Sequence, residues 1–387
     1  MTLRVLHVYS GNLYGGVETL LATLARYRDA RPDMESHFAL AFEGRLSEEL
    51  RRAGVPVTIL GGVRISRPLS VLRARRALKR LLDTNRIEVA VCHSTWPQAV
   101  FGGVIRRMEV PLAFYMHNWT EGRHWLERAA KRVRPDLVIV NSRYTAQSAP
   151  RMYPGVRTEV FYSPHAPVQE ASLEHRRAVR QALDSPPDSV IVVQASRMEP
   201  WKGQQLHLEA LGQLKHIPNW VCWQVGGAQR PHERKHLAAM HSLTEELGIA
   251  SRIRFLGQRS DVPSLLAAAD IHCQPNLQPE SFGSAFIEAM FAGLPIVTTA
   301  VGGGNELVDD SCGIRVSPGD SDGLARALAT LIEDPALRQR LGTAARRRAS
   351  DLCDLERQME SLRDLLSGIV VVRDSRRRAV LPSTAIT

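Results

Sequence analysis

Ile271-His-Cys-Gln-Pro-Asn-Leu-Gln-Pro-Glu-Ser-Phe-Gly-Ser-Ala-Phe-Ile-Glu-Ala-Met-Phe-Ala-Gly-Leu-Pro-Ile-Val-Thr298 opens on a short apolar run, crosses a polar turn, and enters an apolar stretch with helical spacing. It then returns to a second apolar run after Gly293 and Pro295. A buried strand, a helix and another buried strand explain this order, which is the repeating unit of a parallel sheet. The same alternation runs outward in both directions. Toward the N-terminus, strands are predicted at Val190–Gln194, Trp220–Val225 and Arg252–Leu256, and toward the C-terminus at Ile314–Val316. The first half reads the same way, at Leu3–Tyr9, His37–Phe42, Val55–Leu60, Val89–Cys92, Leu112–Met116 and Leu137–Asn141. The fold class is therefore α/β, with doubly wound parallel sheets whose ligands bind beyond the carboxyl ends of the strands.

Two such sheets fit a chain of 387 residues with 44% apolar residues. Ser163-Pro-His-Ala-Pro167, a charged helical stretch and Asp184-Ser-Pro-Pro-Asp188 read as the connection between them. The expected domains are residues 1–168 and 185–351, with helices near 321–333, 335–349 and 352–366. From Asp374 the tail shows no period, and residues 371–387 are expected to be mobile.

Five scattered cysteines without a CxxC pair argue against a disulfide framework or a structural zinc site, and fit a reducing cytoplasm. Neither a secretory signal nor a run of the ~20 apolar residues needed to span a membrane is expected. The formal charge of +10 points to an acidic partner without naming it.

Chemistry is sought in the loops that follow strands. In Pro279-Glu-Ser-Phe-Gly-Ser-Ala-Phe-Ile-Glu-Ala-Met290, a helix starting near Ser281 would aim the backbone N–H groups of Phe282, Gly283, Ser284 and Ala285 at a phosphate. Glu288 would lie about two turns inside at ~1.5 Å per residue, where a ribose diol suits it; Glu280 would hold the sugar end of a donor. The alternative is that Glu280 complements the helix N-terminus and Glu288 sits on a solvated face. Arg197 and Lys202, in Ala195-Ser-Arg-Met-Glu-Pro-Trp-Lys-Gly203, converge on a diphosphate in one reading and are ordinary surface cations in the other. Gly15 and Gly16 open the first helix, as a phosphate-approach point or as a plain tight turn. His117 and His93, each just past a strand, are ligand contacts or structural histidines.

Taken together these motifs resemble the retaining glycosyltransferases of family 4. Glu280 and Glu288 match the Glu-x7-Glu signature and Arg197 and Lys202 match Arg-x4-Lys, while Gly15-Gly16, His117 and Gly302-Gly303-x-x-Glu306 fall at the other landmarks. The resemblance covers about residues 1–370. It implies the GT-B fold: two Rossmann-like domains facing a cleft, the first for the acceptor and the second for the nucleotide sugar, with a final helix, about 352–370, crossing back to the first. It further implies that Glu288 binds ribose, Glu280 the donor sugar, Arg197 and Lys202 the diphosphate, Gly16 a phosphate and His117 the sugar near its reacting carbon. The implied reaction moves a hexose-type sugar from a nucleotide-diphosphate donor to a sugar, lipid-linked or small-molecule acceptor, with retention, without a metal and without a further cofactor. Ser196, where the family usually has Gly, and Ser284, where Leu is frequent, depart from the pattern and bear on donor identity. A sugar phosphorylase or synthase of the same fold is the runner-up.

Three other readings compete. His232-Glu-Arg-Lys-His236 matches the zinc-protease pattern, although Arg230, Arg234 and Lys235 crowd it with positive charge. Asp320-Ser-Asp322 resembles a metal-binding pair but is placed to cap a helix. Nucleic acid is not an expected partner, since no recognition module is visible and aromatics make up only 6% of the chain. The basic amphipathic stretch 68–86 offers two open alternatives, peripheral contact with an anionic membrane or a helix packed on the sheet through Leu78 and Leu82.

Overall fold

The structure is a computed structural model and describes residues 2–12, 15–166 and 171–380. It divides into two compact units, Met1–Pro164 with Leu355–Thr387, and His165–Asp354.

The first unit is built on a seven-stranded parallel sheet. Its strands are β1 (Leu3–Tyr9), β2 (Met34–Leu40), β3 (Val57–Ile59), β4 (Val89–His93), β5 (Leu112–Met116), β6 (Leu137–Val140) and β7 (Thr158–Val160), in the order β3-β2-β1-β4-β5-β6-β7. β1 pairs with β2 on one side and β4 on the other, with His7 opposite Phe38 and Val91. The strand expected at His37–Phe42 begins three residues earlier, because Met34 is buried and starts the ladder against Leu3. β7 escaped the sequence reading, as its three half-buried residues carry no apolar run.

The second unit holds a six-stranded parallel sheet of β8 (Val190–Ala195), β9 (Trp220–Val225), β10 (Ile253–Gly257), β11 (Ile271–Gln274), β12 (Ile296–Thr299) and β13 (Gly313–Val316), in the order β10-β9-β8-β11-β12-β13. Trp220, Cys222, Cys273 and Val297 pack one face against the helices Gln204–Gln213 and Ser321–Glu333. Asp320 caps the second of these by accepting from the Gly323 N–H at 2.8 Å.

The charged stretch read as a connection forms the helix Leu173–Ala182 and belongs to the second unit. Arg176 and Arg180 fix it there, each donating to a different oxygen of Asp270 at 2.7 Å. The last helix also differs from expectation, running from Leu355 to Val380 rather than over 352–366. No proline interrupts the sequence before Pro382, so the helix has no strong breaker. The backbone of 371–380 is thus helical where a mobile tail was expected, and 381–387 lie outside the described residues. This helix buries Met359, Leu362, Leu366 and Ile369 within the first unit, where Arg363 pairs with Asp33 at 3.1 Å.

Each sheet reverses its strand order once, between β1 and β4 and between β8 and β11. At such a point the loops leaving the two central strands turn opposite ways and open a crevice beyond their carboxyl ends. Gly15 and Gly16 follow β1, Arg197 and Lys202 follow β8, Glu280 and Glu288 follow β11, and His117 lies past β5, the strand next to β4.

Candidate functional site

In the second unit, β8 runs into a tight turn at Pro200–Lys202, and Gly203 starts the next helix with φ +74°. A Cβ on Gly203 would lie 1.9 Å from the Pro275 carbonyl oxygen, so only glycine allows the loop after β8 to press on the loop after β11. The Leu277 N–H donates to the Trp201 carbonyl at 2.8 Å and holds the two loops in that contact.

The consequence is an ion pair that the sequence reading did not foresee. Lys202 Nζ donates to Glu280 Oε1 at 2.6 Å, and both side chains are largely withdrawn from solvent. The other carboxylate oxygen, Oε2, accepts from Gln274 Nε2 and from Asn276 Nδ2, both at 2.9 Å. The backbone is fixed as well: Glu280 pairs with Gly302, and the Gly303 N–H donates to its carbonyl at 2.7 Å. A Cβ on Gly302 would meet the Glu280 carbonyl oxygen at 2.5 Å, so the Gly-Gly landmark after β12 serves the position of Glu280.

The helix that follows begins at Ser284 and not near Ser281. Gly283 takes φ +99° because the Phe286 ring folds over it, leaving 2.4 Å for a Cβ, and its carbonyl accepts the Phe286 N–H at 3.0 Å. Phe282 and Gly283 therefore lie in the turn ahead of the helix, and the first-turn amides are those of Ser284 and Ala285. Glu288 then sits about one turn into the helix rather than two. It is half-buried, in a helix whose neighbouring residues Phe286, Ile287, Ala289, Met290 and Phe291 are themselves buried, and makes no hydrogen bond or ion pair among the described residues. Burial without a partner pushes its carboxyl pKa up to about 7.

Arg197 is not drawn into the Lys202–Glu280 cluster. Its guanidinium pairs with Glu199 at 3.0 Å and stays 42% exposed. Glu199 in turn accepts from Trp201 Nε1 at 3.0 Å, while the Lys202 ammonium lies 4.1 Å from the Trp201 ring centroid.

In the first unit, Gly15 caps the helix Gly16–Arg26 with an extended φ of −169°. Beyond its chain neighbours, a Cβ there would come no nearer than 3.7 Å to the described residues, meeting Glu18 first, so neither backbone strain nor a contact with them calls for glycine. Beside it, buried Glu18 accepts from the Tyr9 hydroxyl at 2.8 Å. Across the switch point, His7 Nδ1 lies 3.0 Å from His93 Nε2, and His93 Nδ1 lies 3.1 Å from His117 Nε2. The three rings are buried. Desolvation lowers His7 and His117 to about 3 and holds His93 well below the ordinary histidine range. Asn141 Nδ2 donates to the His117 carbonyl at 2.9 Å, and the Tyr115 ring stacks on the imidazole at 4.0 Å.

The zinc-protease pattern dissolves on inspection of its glutamate. Glu233 is buried at the start of the helix Pro231–Glu246 and accepts the N–H groups of Gln229 and Arg230, while His232 faces solvent. One oxygen of that carboxylate is engaged in capping the helix, and the side chain is buried away from the exposed His232.

Two family models match the chain: "Glycosyl transferases group 1" over residues 175–348 and "Glycosyltransferase Family 4" over residues 14–164. The chain belongs to the group 1 glycosyltransferases. Among relatives of this glycosyltransferase, the lipopolysaccharide core biosynthesis glycosyltransferase LpsE of Rhizobium meliloti is 32% identical over 163 residues, which is 42% of this chain and 45% of LpsE. The chain thus spans less than half the length of that relative. A GDP-mannose-dependent alpha-(1-6)-phosphatidylinositol monomannoside mannosyltransferase of Mycolicibacterium smegmatis is 28% identical over 75% of this chain and 79% of its own. Among solved structures, Anabaena HepE in complex with UDP-glucose superposes with a TM-score of 0.82 at 25% identity, covering 95% of this chain and all of HepE. WaaG, a glycosyltransferase involved in lipopolysaccharide biosynthesis, gives 0.71 at 20% identity, with 95% and 100% covered, and shows the fold alone. The architecture of the glycosyltransferase is therefore GT-B, with two parallel-sheet α/β domains.

Of the residues singled out in the sequence, Lys202 and Glu280 meet directly, while Glu288 stands apart from them on the neighbouring helix. Gln274, Asn276, His7 and Glu18 were missed. Gln274 and Asn276 sit at or just past the end of β11, where a pair of amides after a buried strand is a signal for a carboxylate to be held. His7 carried none, because its role depends on which strand lies beside β1.

Proposed function

We propose that this glycosyltransferase moves a hexose-type sugar from a nucleotide-diphosphate donor to a sugar, lipid-linked or small-molecule acceptor, with retention of anomeric configuration and without a metal. The observation that carries this reading is the cluster at the β8/β11 switch point: a Lys202–Glu280 pair steadied by two amides, beside a helix N-terminus and a half-buried Glu288 with no partner among the described residues. Each part has a counterpart in a nucleotide sugar. Glu288 accepts from the two ribose hydroxyls, the only donors on that part of the ligand. The amides of Ser284 and Ala285 and the Lys202 ammonium take the diphosphate. Glu280, with its carboxylate held on both oxygens, orients the hydroxyls of the sugar, and Arg197, exposed in its pair with Glu199, closes on the diphosphate from solvent. In the first unit, Gly15 and Gly16 leave room for a phosphate and His117 contacts the sugar. That HepE has been solved with UDP-glucose supports the choice of ligand class.

In the reaction the bond from the anomeric carbon to the diphosphate oxygen breaks, and charge developing on that oxygen is taken up by Lys202, Arg197 and the helix amides. The acceptor hydroxyl attacks on the face the phosphate leaves, its oxygen bonding to the anomeric carbon and its proton passing to the departing phosphate oxygen. No protein nucleophile takes part.

The acceptor side of the reading includes a membrane contact. The helix Pro68–Asn85 packs Ala74, Leu78 and Leu82 inward, while Leu69 and Leu72 stand outside at 69% and 43% exposure, next to Ile65 and among Arg67, Arg73, Arg76 and Arg80. Apolar tips inside a basic face suit an anionic lipid surface. Among the described residues, no helix is long and apolar enough to cross a membrane.

The test is calorimetric titration with UDP, GDP, ADP and their sugar conjugates, with and without chelator, on wild type and Glu288→Ala, followed by NMR of the product's anomeric configuration. Chelator-insensitive binding of one nucleotide, lost in the variant, and a retained configuration support the reading. An inverted product, or binding that the chelator abolishes, overturns it.

A further inference from the structure

The chain of imidazoles in the first unit constrains where its protons sit. His7 Nδ1 to His93 Nε2 and His93 Nδ1 to His117 Nε2 are nitrogen–nitrogen contacts of 3.0 and 3.1 Å, and each needs one proton between its two atoms. Desolvation keeps all three rings neutral, so each carries a single proton. His93 can fill only one of its two contacts, and a neighbour must fill the other. Two arrangements satisfy the count, and they differ at every ring. In one, protons sit on His7 Nδ1, His93 Nδ1 and His117 Nδ1. In the other, they sit on His117 Nε2, His93 Nε2 and His7 Nε2.

The ends decide between them. His7 Nε2 is buried and has no hydrogen-bond partner among the described residues. The second arrangement would strand an N–H there, and an orphaned donor is a rarer tenant of protein interiors than an orphaned acceptor. The first arrangement leaves only a lone pair at that end and delivers the unpaired N–H to His117 Nδ1, which makes no hydrogen bond among the described residues. Asn141 and Tyr115 hold the backbone and the ring plane so that this N–H keeps one direction.

We propose that His7 and His93 are positioning residues that lock His117 as its neutral Nδ1–H tautomer, so that His117 offers the donor sugar a hydrogen-bond donor and never a base. The ligand in this statement rests on the transferase reading, whereas the tautomer follows from the ring chain alone. His117 then donates to a sugar oxygen, with no proton transfer, and the acceptor's proton must leave by way of the departing phosphate.

The experiment is a two-bond proton–nitrogen correlation spectrum of the full chain labelled with 15N-histidine, at pH 7.5, with His117 assigned by the signals lost in His117→Ala. The wild type should show His117 as Nδ1–H, opposite to the Nε2–H form a solvated imidazole favours. His93→Phe should switch His117 to Nε2–H and lower kcat/KM for sugar transfer about tenfold, the size of one hydrogen bond to the ligand. His93→Asn, whose side-chain N–H replaces that of Nδ1, should keep the tautomer and restore most of the rate. A wild-type His117 in the Nε2–H form overturns the proposal by itself, whether or not His93→Phe folds, as does an unchanged tautomer in a folded His93→Phe. An Nδ1–H His117 in a protein that binds no nucleotide sugar upholds the lock and overturns only the transferase reading.

Discussion

Lys202→Met removes the charge that faces Glu280 and keeps most of the buried stem. The pair is formed at 2.6 Å with side-chain exposures of 9% and 17%, well inside the range where solvent no longer screens effectively. Removing one member of a buried pair costs ~3–5 kcal/mol because the other charge is left uncompensated. Here Glu280 keeps Gln274 and Asn276 as donors, each worth ~1 kcal/mol or more against a charged acceptor, so the loss should fall at the lower end, about 3 kcal/mol. The assay is urea unfolding of the second unit's transition for wild type, Lys202→Met, Glu280→Gln and the double variant. Glu280→Gln relieves the stranded charge, so the double variant should be more stable than Lys202→Met, giving a coupling of at least ~1.5 kcal/mol. Sugar transfer should fall mainly in kcat, since Lys202 faces charge that grows as the phosphate departs. If Lys202→Met unfolds within about 0.5 kcal/mol of wild type, the ion pair is not formed in the free protein and the account of how Glu280 is held fails.

Glu288 gives a pH prediction of determined sign. Its folded pKa, about 7, lies above the ordinary carboxyl value; its contribution to stability is full below about pH 4.5 and is lost as pH rises through 7, amounting to no more than about 3 kcal/mol. Glu288→Gln should flatten that stretch of the stability profile, and nucleotide affinity of the wild type should drop about tenfold per unit below pH 7 as the carboxylate that the ribose needs is protonated; a pH-independent affinity between 5.5 and 7 counts against the ribose role. Gly203→Ala forces a Cβ against the Pro275 carbonyl in a left-handed backbone, and should cost about 2–4 kcal/mol in denaturant while abolishing nucleotide binding, because the two loops move apart. Glu233→Gln should lower stability by about 1 kcal/mol through the weakened helix cap and leave nucleotide binding and chelator response unchanged.

Parallel βαβ units announce themselves in sequence because their strands are buried on both faces, and this chain's strands were legible for that reason. Signals of period and apolar run fade where burial is partial, as at β7, or where a polar start precedes the apolar run, as at β2. Boundaries failed for the same kind of reason. The charged helix Leu173–Ala182 looks like a linker until Asp270 is known to receive Arg176 and Arg180 from nearly a hundred residues away.

Among the site residues, the sequence named the ones whose chemistry shows in a local pattern, and it passed over what depends on contacts between loops. Lys202 and Glu280 read as two agents with two ligands, since 78 residues separate them. The fold joins them because Gly203 allows the loops after β8 and β11 to touch, and because Gly302 and Gly303 clamp Glu280 from the loop after β12. The helix start slipped by three residues because Ser281 looks like a good cap, whereas the Phe286 ring requires Gly283 behind it. His7 shows the limit most sharply. It lies 86 residues from His93, and nothing in Leu3–Tyr9 marks it as different from a buried strand residue. Its significance arises only when β1 and β4 become neighbours at the reversal of strand order, and the same reversal is what opens the crevice beyond those strands. The topology that opens a crevice thus also brings together the polar side chains beside it, which is why a search confined to local motifs finds residues such as Lys202 and Glu280 and passes over those that hold them.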